Sequence, residues 1–269
     1  MSVFLARDFA HTNKNLKLQL ENVKVLSAKT IEQEKEKQRI LAGQKEKLEV
    51  LVKERTAELE SEKEKTEQLL LNTLPLKVVN DLKENGKTEP ESFEEVTVYF
   101  SDIVGFTNIS TQLEPALLIG ELNDIFTAFD DIMERNQCER IKTIGDAYLA
   151  VCGMPEKNDL NAYHMANAAL EIRDYMTRRN EKSDITWKIR IGIHSGKVVG
   201  GIVGVKKYIY DVFGDTINTT SRMESNSEPM RINISETTWG LLEGKFVFTP
   251  RKPMEIKGKG LMQMYFLEG

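Results

Sequence analysis

The chain has 269 residues, 37 of them Lys or Arg and 42 Asp or Glu, and its formal net charge of -5 excludes a nucleic acid partner held by bulk attraction. Two cysteines are too few for a disulfide framework and lack metal-ligand spacing, which fits a reducing compartment. No signal peptide is visible, and no run approaches the roughly 18 uninterrupted apolar residues of a membrane helix.

Residues 1–71 are rich in Lys, Glu, Gln and Leu, carry no proline and one glycine, Gly43, and read as one long helix. Leu41, Leu48, Val52, Leu59 and Leu69 recur in steps built of three and four, with Lys45, Arg55, Glu62 and Thr66 filling the remaining seam positions. Leu16, Leu20 and Val23 begin a similar stripe that dissolves after Ser27. A heptad seam with a polar middle predicts a parallel two-stranded coiled coil of modest stability, while so many charges leave a single solvated helix as the alternative. At about 1.5 Å per residue, a helix from Phe9 to Leu71 reaches roughly 95 Å, a length suited to transmission rather than packing.

Pro75 cannot continue the hydrogen-bond ladder, so a kink and a second short helix are expected, ended by Asn85-Gly86-Lys87. After a loop to Ser92 the pattern predicts a strand at 95–101, helices within 106–136, a strand pair near 139–152 and a helix over 159–179. Strands near 187–194, 197–203 and 208–213 come next, then a helix over 215–226 and further alternating elements. Strands alternating with amphipathic helices imply a sheet covered by helices. Leu117, Leu118, Leu122, Ile125, Phe126, Phe129 and Met133 lie at helical spacing and are expected in the core.

Two segments carry chemistry. In Val96-Thr-Val-Tyr-Phe-Ser-Asp-Ile-Val-Gly-Phe-Thr107 an apolar strand runs into Asp102 and then into a turn opening a helix, whose first N–H groups, from Val104 through Gly105 and Phe106 to Thr107, are expected unpaired and open to an anion. Taken alone, Asp102 is equally a helix cap. In Arg140-Ile-Lys-Thr-Ile-Gly-Asp-Ala-Tyr-Leu-Ala-Val-Cys152 two short strands fold back at Gly145-Asp146, and an Asp there is ordinarily a turn residue.

Together with Ile189-Arg-Ile-Gly-Ile-His-Ser-Gly196, Tyr210-Asp-Val-Phe-Gly-Asp-Thr-Ile-Asn-Thr-Thr-Ser-Arg-Met-Glu-Ser225 and Met254-Glu-Ile-Lys-Gly-Lys-Gly260, these segments resemble the nucleotide-site motifs of class III nucleotidyl cyclases, from about Glu95 to about Phe266. The resemblance implies an α+β fold with a ferredoxin-like core and an enlarged sheet. It implies three parts: a signalling coiled-coil helix at 1–71, a transducer helix and linker at 72–92, and a catalytic domain at 93–269. It assigns Asp102 and Asp146, with the Ile103 carbonyl, to two Mg²⁺ or Mn²⁺ ions per site, which hard oxygen ligands suit. Asn218 is to orient the ribose, Arg222 to stabilise charge on the α-phosphoryl group, and Arg190 and Lys257 to clamp the terminal phosphates. His194 is expected to be structural rather than a base.

The same resemblance places Lys142 and Asp211 at the two base-reading positions. A Lys donates to adenine N1 and an Asp accepts from N6, whereas guanylyl cyclases carry Glu and Cys there, so the substrate is expected to be ATP. A guanylyl or relaxed-specificity cyclase is one alternative, and a catalytically silent nucleotide-binding signalling dimer another. In this family the metal aspartates and the base-reading, Asn and Arg residues of one site come from different protomers, so a head-to-tail homodimer is implied, with the parallel coiled coil on its axis. Residues Met1–Ala10 resemble the segment just after the last membrane span of some bacterial receptor cyclases, so an upstream membrane sensor with this part on its cytoplasmic side is expected.

Overall fold

A computed structural model describes residues 2–204 and 208–269, and the expectation attached to Met1 lies outside them. The chain divides into two compact units, Met1–Leu70 and Leu71–Gly269. The first is the body of α1 (Ser2–Leu71), an uninterrupted helix. Leu16, Leu41, Leu48, Val52, Leu59 and Leu69 are all exposed along it. Its ion pairs Lys45–Glu49 and Arg55–Glu58 are solvated, and such pairs contribute only a few tenths of a kcal/mol. Among the described residues no helix is long and apolar enough to cross a membrane.

In the second unit, Pro75 stands at the N-cap of α2 (Leu76–Asn85), and Gly86 closes that helix in the left-handed conformation with φ 68°. Beyond it lie β1 (Glu91–Ile103), α3 (Phe106–Ser110), α4 (Pro115–Arg135), β2 (Glu139–Ile144), β3 (Ala147–Cys152) and α5 (Asn161–Asn180). Next come β4 (Ile189–Val203), β5 (Ile209–Phe213), α6 (Asp215–Ser225), β6 (Ile232–Ser235) and α7 (Glu236–Leu242). The chain closes with β7 (Phe248–Pro250), β8 (Met254–Ile256), β9 (Gly260–Met262) and β10 (Met264–Leu267).

The main sheet runs β2-β3-β1-β4-β6-β10-β7, with β5 paired to β4, while β8 and β9 form a separate hairpin. Its first four strands, read back as β4-β1-β3-β2, are antiparallel neighbours joined through α4 and α5, which is the ferredoxin-like core, and the strands beyond β4 are the enlargement. The expected strands at 187–194 and 197–203 are one strand, β4, because Ser195 and Gly196 stay in register against Thr97 and Val96 of β1. The first strand likewise extends further in both directions than expected.

Alternation along the strands feeds two cores. Tyr99, Ile103, Tyr148, Ala150, Cys152, Ile189, Ile191 and Ile193 face α4 and α5, where Ile125, Phe129, Met133, Met165, Ile172 and Met176 complete the larger cluster. Val96, Val98, Leu149, Val151, Val198 and Val212 face the other way and are covered by Leu74, just before α2, and by Val78 and Val79 within it. The segment around Pro75 is therefore part of the second unit's core.

One close approach sets the position of α6. A Cβ on Gly192 of β4 would lie 2.0 Å from the backbone nitrogen of Glu224, so only glycine lets α6 rest on the sheet there. We expect Gly192→Ala to destabilise the fold by about 2–4 kcal/mol, since backbone rather than a side-chain tip must move. Chemical denaturation measures this, and a loss below about 0.5 kcal/mol would contradict the contact.

Candidate active site

At the exit of β1, Ser101 and Ile103 are buried while Asp102 between them is part-exposed and stands opposite Arg190 of β4. The β2–β3 hairpin closes in two residues, and Gly145 at φ 64° allows a turn so tight. That turn brings Asp146 against Asp102, where the nearby backbone N–H groups of Asp146 and Ile103 favour the ionised Asp146 carboxylate. Burial first, and the neighbouring Asp102 carboxylate second, push the Asp146 carboxyl up to about 6. Two carboxylates held in mutual repulsion form a hard-oxygen donor set whose strain a divalent cation relieves. No cluster of three or more His, Cys, Asp or Glu side chains forms among the described residues, so further ligands would be backbone, phosphate or water oxygens.

Arg190 sits beside this pair. Its Nη2 donates to Asp102 Oδ2 at 3.1 Å, and its Nε donates to Glu224 Oε1 at 2.8 Å. Of the N–H groups expected to face an anion, that of Val104 is already spent on the Lys188 carbonyl at 2.8 Å, because the chain leaves β1 still attached to the start of β4. Gly105, Phe106 and Thr107 remain at the start of α3, with Gly105 at φ 71°.

A second cluster joins β2 to β5. Lys142 Nζ donates to Asp211 Oδ2 at 2.5 Å, and the other Asp211 oxygen accepts the Val212 N–H at 2.9 Å. On α6, Thr216, Thr219, Thr220 and Met223 are buried, so the opposite face presents Asn218 and Arg222 to solvent. Lys257 is exposed in the turn of the β8–β9 hairpin. That hairpin is fastened to α6 by the Lys259–Asp215 ion pair and by Ile256, which shares a small buried cluster with Met223 of α6 and Met264 of β10.

The fold thus gathers Asp102, Ile103, Asp146 and Arg190 at one place and Lys142 with Asp211 at another. Asn218, Arg222 and Lys257 face solvent. His194 bonds Ser235 Oγ through Nδ1 at 2.7 Å, and burial with the nearby Lys259 charge pushes it down to about 4, so it stays neutral near pH 7. Glu224, the buried partner of Arg190, does not stand out in the sequence. Its only signal there is an acidic residue two places after Arg222, and the 34-residue separation from Arg190 hides the pairing.

The family model for the adenylate and guanylate cyclase catalytic domain matches residues 88–269. Guanylate cyclase D of Mus musculus is 45% identical over 238 residues, 86% of this chain and 21% of that protein, so the chain spans about a fifth of the length of this curated relative. The guanylate cyclase domain of RhGC from Catenaria anguillulae, solved with GTP, is 40% identical with a TM-score of 0.65, covering 66% of this chain and 98% of that one. The catalytic core of a rhodopsin-guanylyl cyclase with converted specificity, solved with ATPαS, is 41% identical with a TM-score of 0.65, covering 68% and 99%.

Proposed function

Because the chain belongs to the adenylate and guanylate cyclase catalytic domain family, we propose that it converts a purine nucleoside triphosphate to the 3',5'-cyclic monophosphate and pyrophosphate. The observation that carries this reading is the Asp102–Asp146 pair beside Arg190 at the exit of β1. Cyclase domains of this family use divalent metal ions. Asp102, Asp146 and the Ile103 carbonyl would hold two Mg²⁺ or Mn²⁺ ions, which supply charge neutralisation and a lowered pKa for the attacking 3'-hydroxyl. In this reading Arg190 and Lys257 grip the terminal phosphates, Gly105, Phe106 and Thr107 offer backbone N–H groups, Asn218 orients the ribose, and Arg222 meets the charge that builds on the α-phosphoryl oxygens. His194, neutral and engaged with Ser235, is given no proton to move.

The relatives' names fit the guanylyl alternative better than the adenylyl reading. The base-reading positions of this chain favour adenine, because Lys142 offers a donor to N1 and Asp211 an acceptor for N6, and their ion pair holds both in place. We therefore propose ATP as the preferred substrate, with GTP as the second reading. The converted-specificity relative, solved with ATPαS, supports the view that this fold accommodates either base. Initial rates with ATP and GTP under equal metal decide it: a kcat/KM for GTP equal to or above that for ATP overturns the adenine assignment.

Cyclase domains bind nucleotide and act as dimers, and we propose a head-to-tail homodimer with two composite sites. Exposed Val199, Val203, Ile209 and Phe213 on β4 and β5 supply an apolar surface for a second copy. The exposed seam of α1 suits parallel pairing with its counterpart, which would raise the effective concentration of the catalytic units. An upstream membrane sensor acting through α1 belongs to the same proposal.

Protons and cations compete for Asp146. Its folded value lies above the ordinary 3.8, so ionisation costs the cation-free chain stability as pH rises from about 4 to about 6, and a bound cation removes that cost. Half-saturating Mg²⁺ should accordingly be flat above about pH 7 and rise by up to about tenfold per unit below about pH 6. Metal titrations of turnover at several pH values test this, and a requirement that stays constant through pH 6 would contradict it.

A further inference from the structure

We propose that Glu224 is the positioning residue for Arg190, holding the guanidinium so that it serves a triphosphate without capturing the metal carboxylate Asp102. Arg190 is shared: Nε goes to Glu224 Oε1 at 2.8 Å and Nη2 to Asp102 Oδ2 at 3.1 Å. The two partners differ in kind. The Glu224 side chain is 5% exposed and that of Asp102 29%, so the bond to Glu224 is the sheltered one and the bond to Asp102 the one that solvent and ligands can replace. Glu224 is also fixed in place, since α6 rests directly on β4 at Gly192, two residues beyond Arg190, and Ser225 Oγ donates to the second Glu224 oxygen at 3.2 Å.

A guanidinium has five N–H donors in a rigid fork. One bond to Glu224 and one to Asp102 leave the others for phosphate oxygens, and Glu224 balances the positive charge that would otherwise fall wholly on Asp102. Remove that balance and Arg190 closes more tightly on Asp102, in competition with the cation, while its orientation toward phosphate loosens.

The assignment rests on the cyclase reading above. Glu224→Gln keeps the shape and removes the charge, and because the Arg190 side chain is 30% exposed water can solvate the guanidinium left behind, so circular dichroism should show the fold intact. The probe is inorganic tripolyphosphate with Mn²⁺, followed by calorimetry on the full chain. We expect E224Q to bind it about tenfold more weakly than wild type, and the apparent KM for nucleoside triphosphate to rise similarly with kcat changed less than about threefold. In R190A, which lacks the group to be positioned, adding E224Q should weaken tripolyphosphate binding no further. Equal affinity of wild type and E224Q, or full additivity with R190A, overturns the role of Glu224 alone. Failure of the wild-type chain to bind tripolyphosphate at all overturns the cyclase reading with it.

Discussion

Asp102→Ala and Arg222→Ala are each expected to abolish cyclic nucleotide formation, with losses of at least about a hundredfold, and an equimolar mixture is expected to regain about a quarter of wild-type turnover. The two losses have different causes. Asp102→Ala removes half of the carboxylate pair, and it also frees Arg190 from its part-exposed partner, so a cation meets one carboxylate beside a guanidinium held by Glu224 alone. On the proposed role of Arg222, Arg222→Ala removes a cation that meets charge developing only in the transition state, so kcat should fall far more than KM rises. Recovery on mixing is expected if each site takes Asp102 from one protomer and Arg222 from the other: half the dimers are mixed, and each holds one intact site. No recovery under conditions where mass spectrometry shows subunit exchange would overturn the composite site.

The second large effect is on base choice. Lys142→Glu with Asp211→Cys should move the ratio of kcat/KM for ATP over GTP by at least about a hundredfold toward GTP, because a pocket built to bond one Watson–Crick edge leaves polar groups unpaired against the other. Each single change should damage both activities. Lys142→Glu places a carboxylate against Asp211, whose side chain is only 16% exposed, and Asp211→Cys strands the Lys142 ammonium without its partner at 2.5 Å. An unchanged ratio in the double variant would remove both residues from base reading.

Much of this is legible along the chain. Pro75 and Gly86 punctuate α2 where local chemistry demands it, and Gly145-Asp146 marks the point where β2 and β3 fold back on each other. Element edges are less legible. A continuous β4 is hidden because Ser195 and Gly196 resemble a break, yet their cross-strand neighbours on β1 supply the ladder that keeps the strand unbroken. The pairing of the Val104 N–H is hidden for the same reason, since its acceptor is the Lys188 carbonyl, 84 residues along the chain.

The sequence by itself determined most of the order of elements, the alternation of strands with amphipathic helices, and which acidic, basic and amide side chains are available for phosphate and base chemistry. These depend on local propensity and on period, which neighbouring residues fix. Only the tertiary structure decided which of them meet. Asp102 with Asp146, Lys142 with Asp211, and Arg190 between Asp102 and Glu224 are contacts between residues 34 to 88 positions apart, brought together by the sheet register and by the seat of α6 on Gly192. Charge and burial act through space, so the raised carboxyl of Asp146 and the shared guanidinium of Arg190 exist only once the chain has closed on itself.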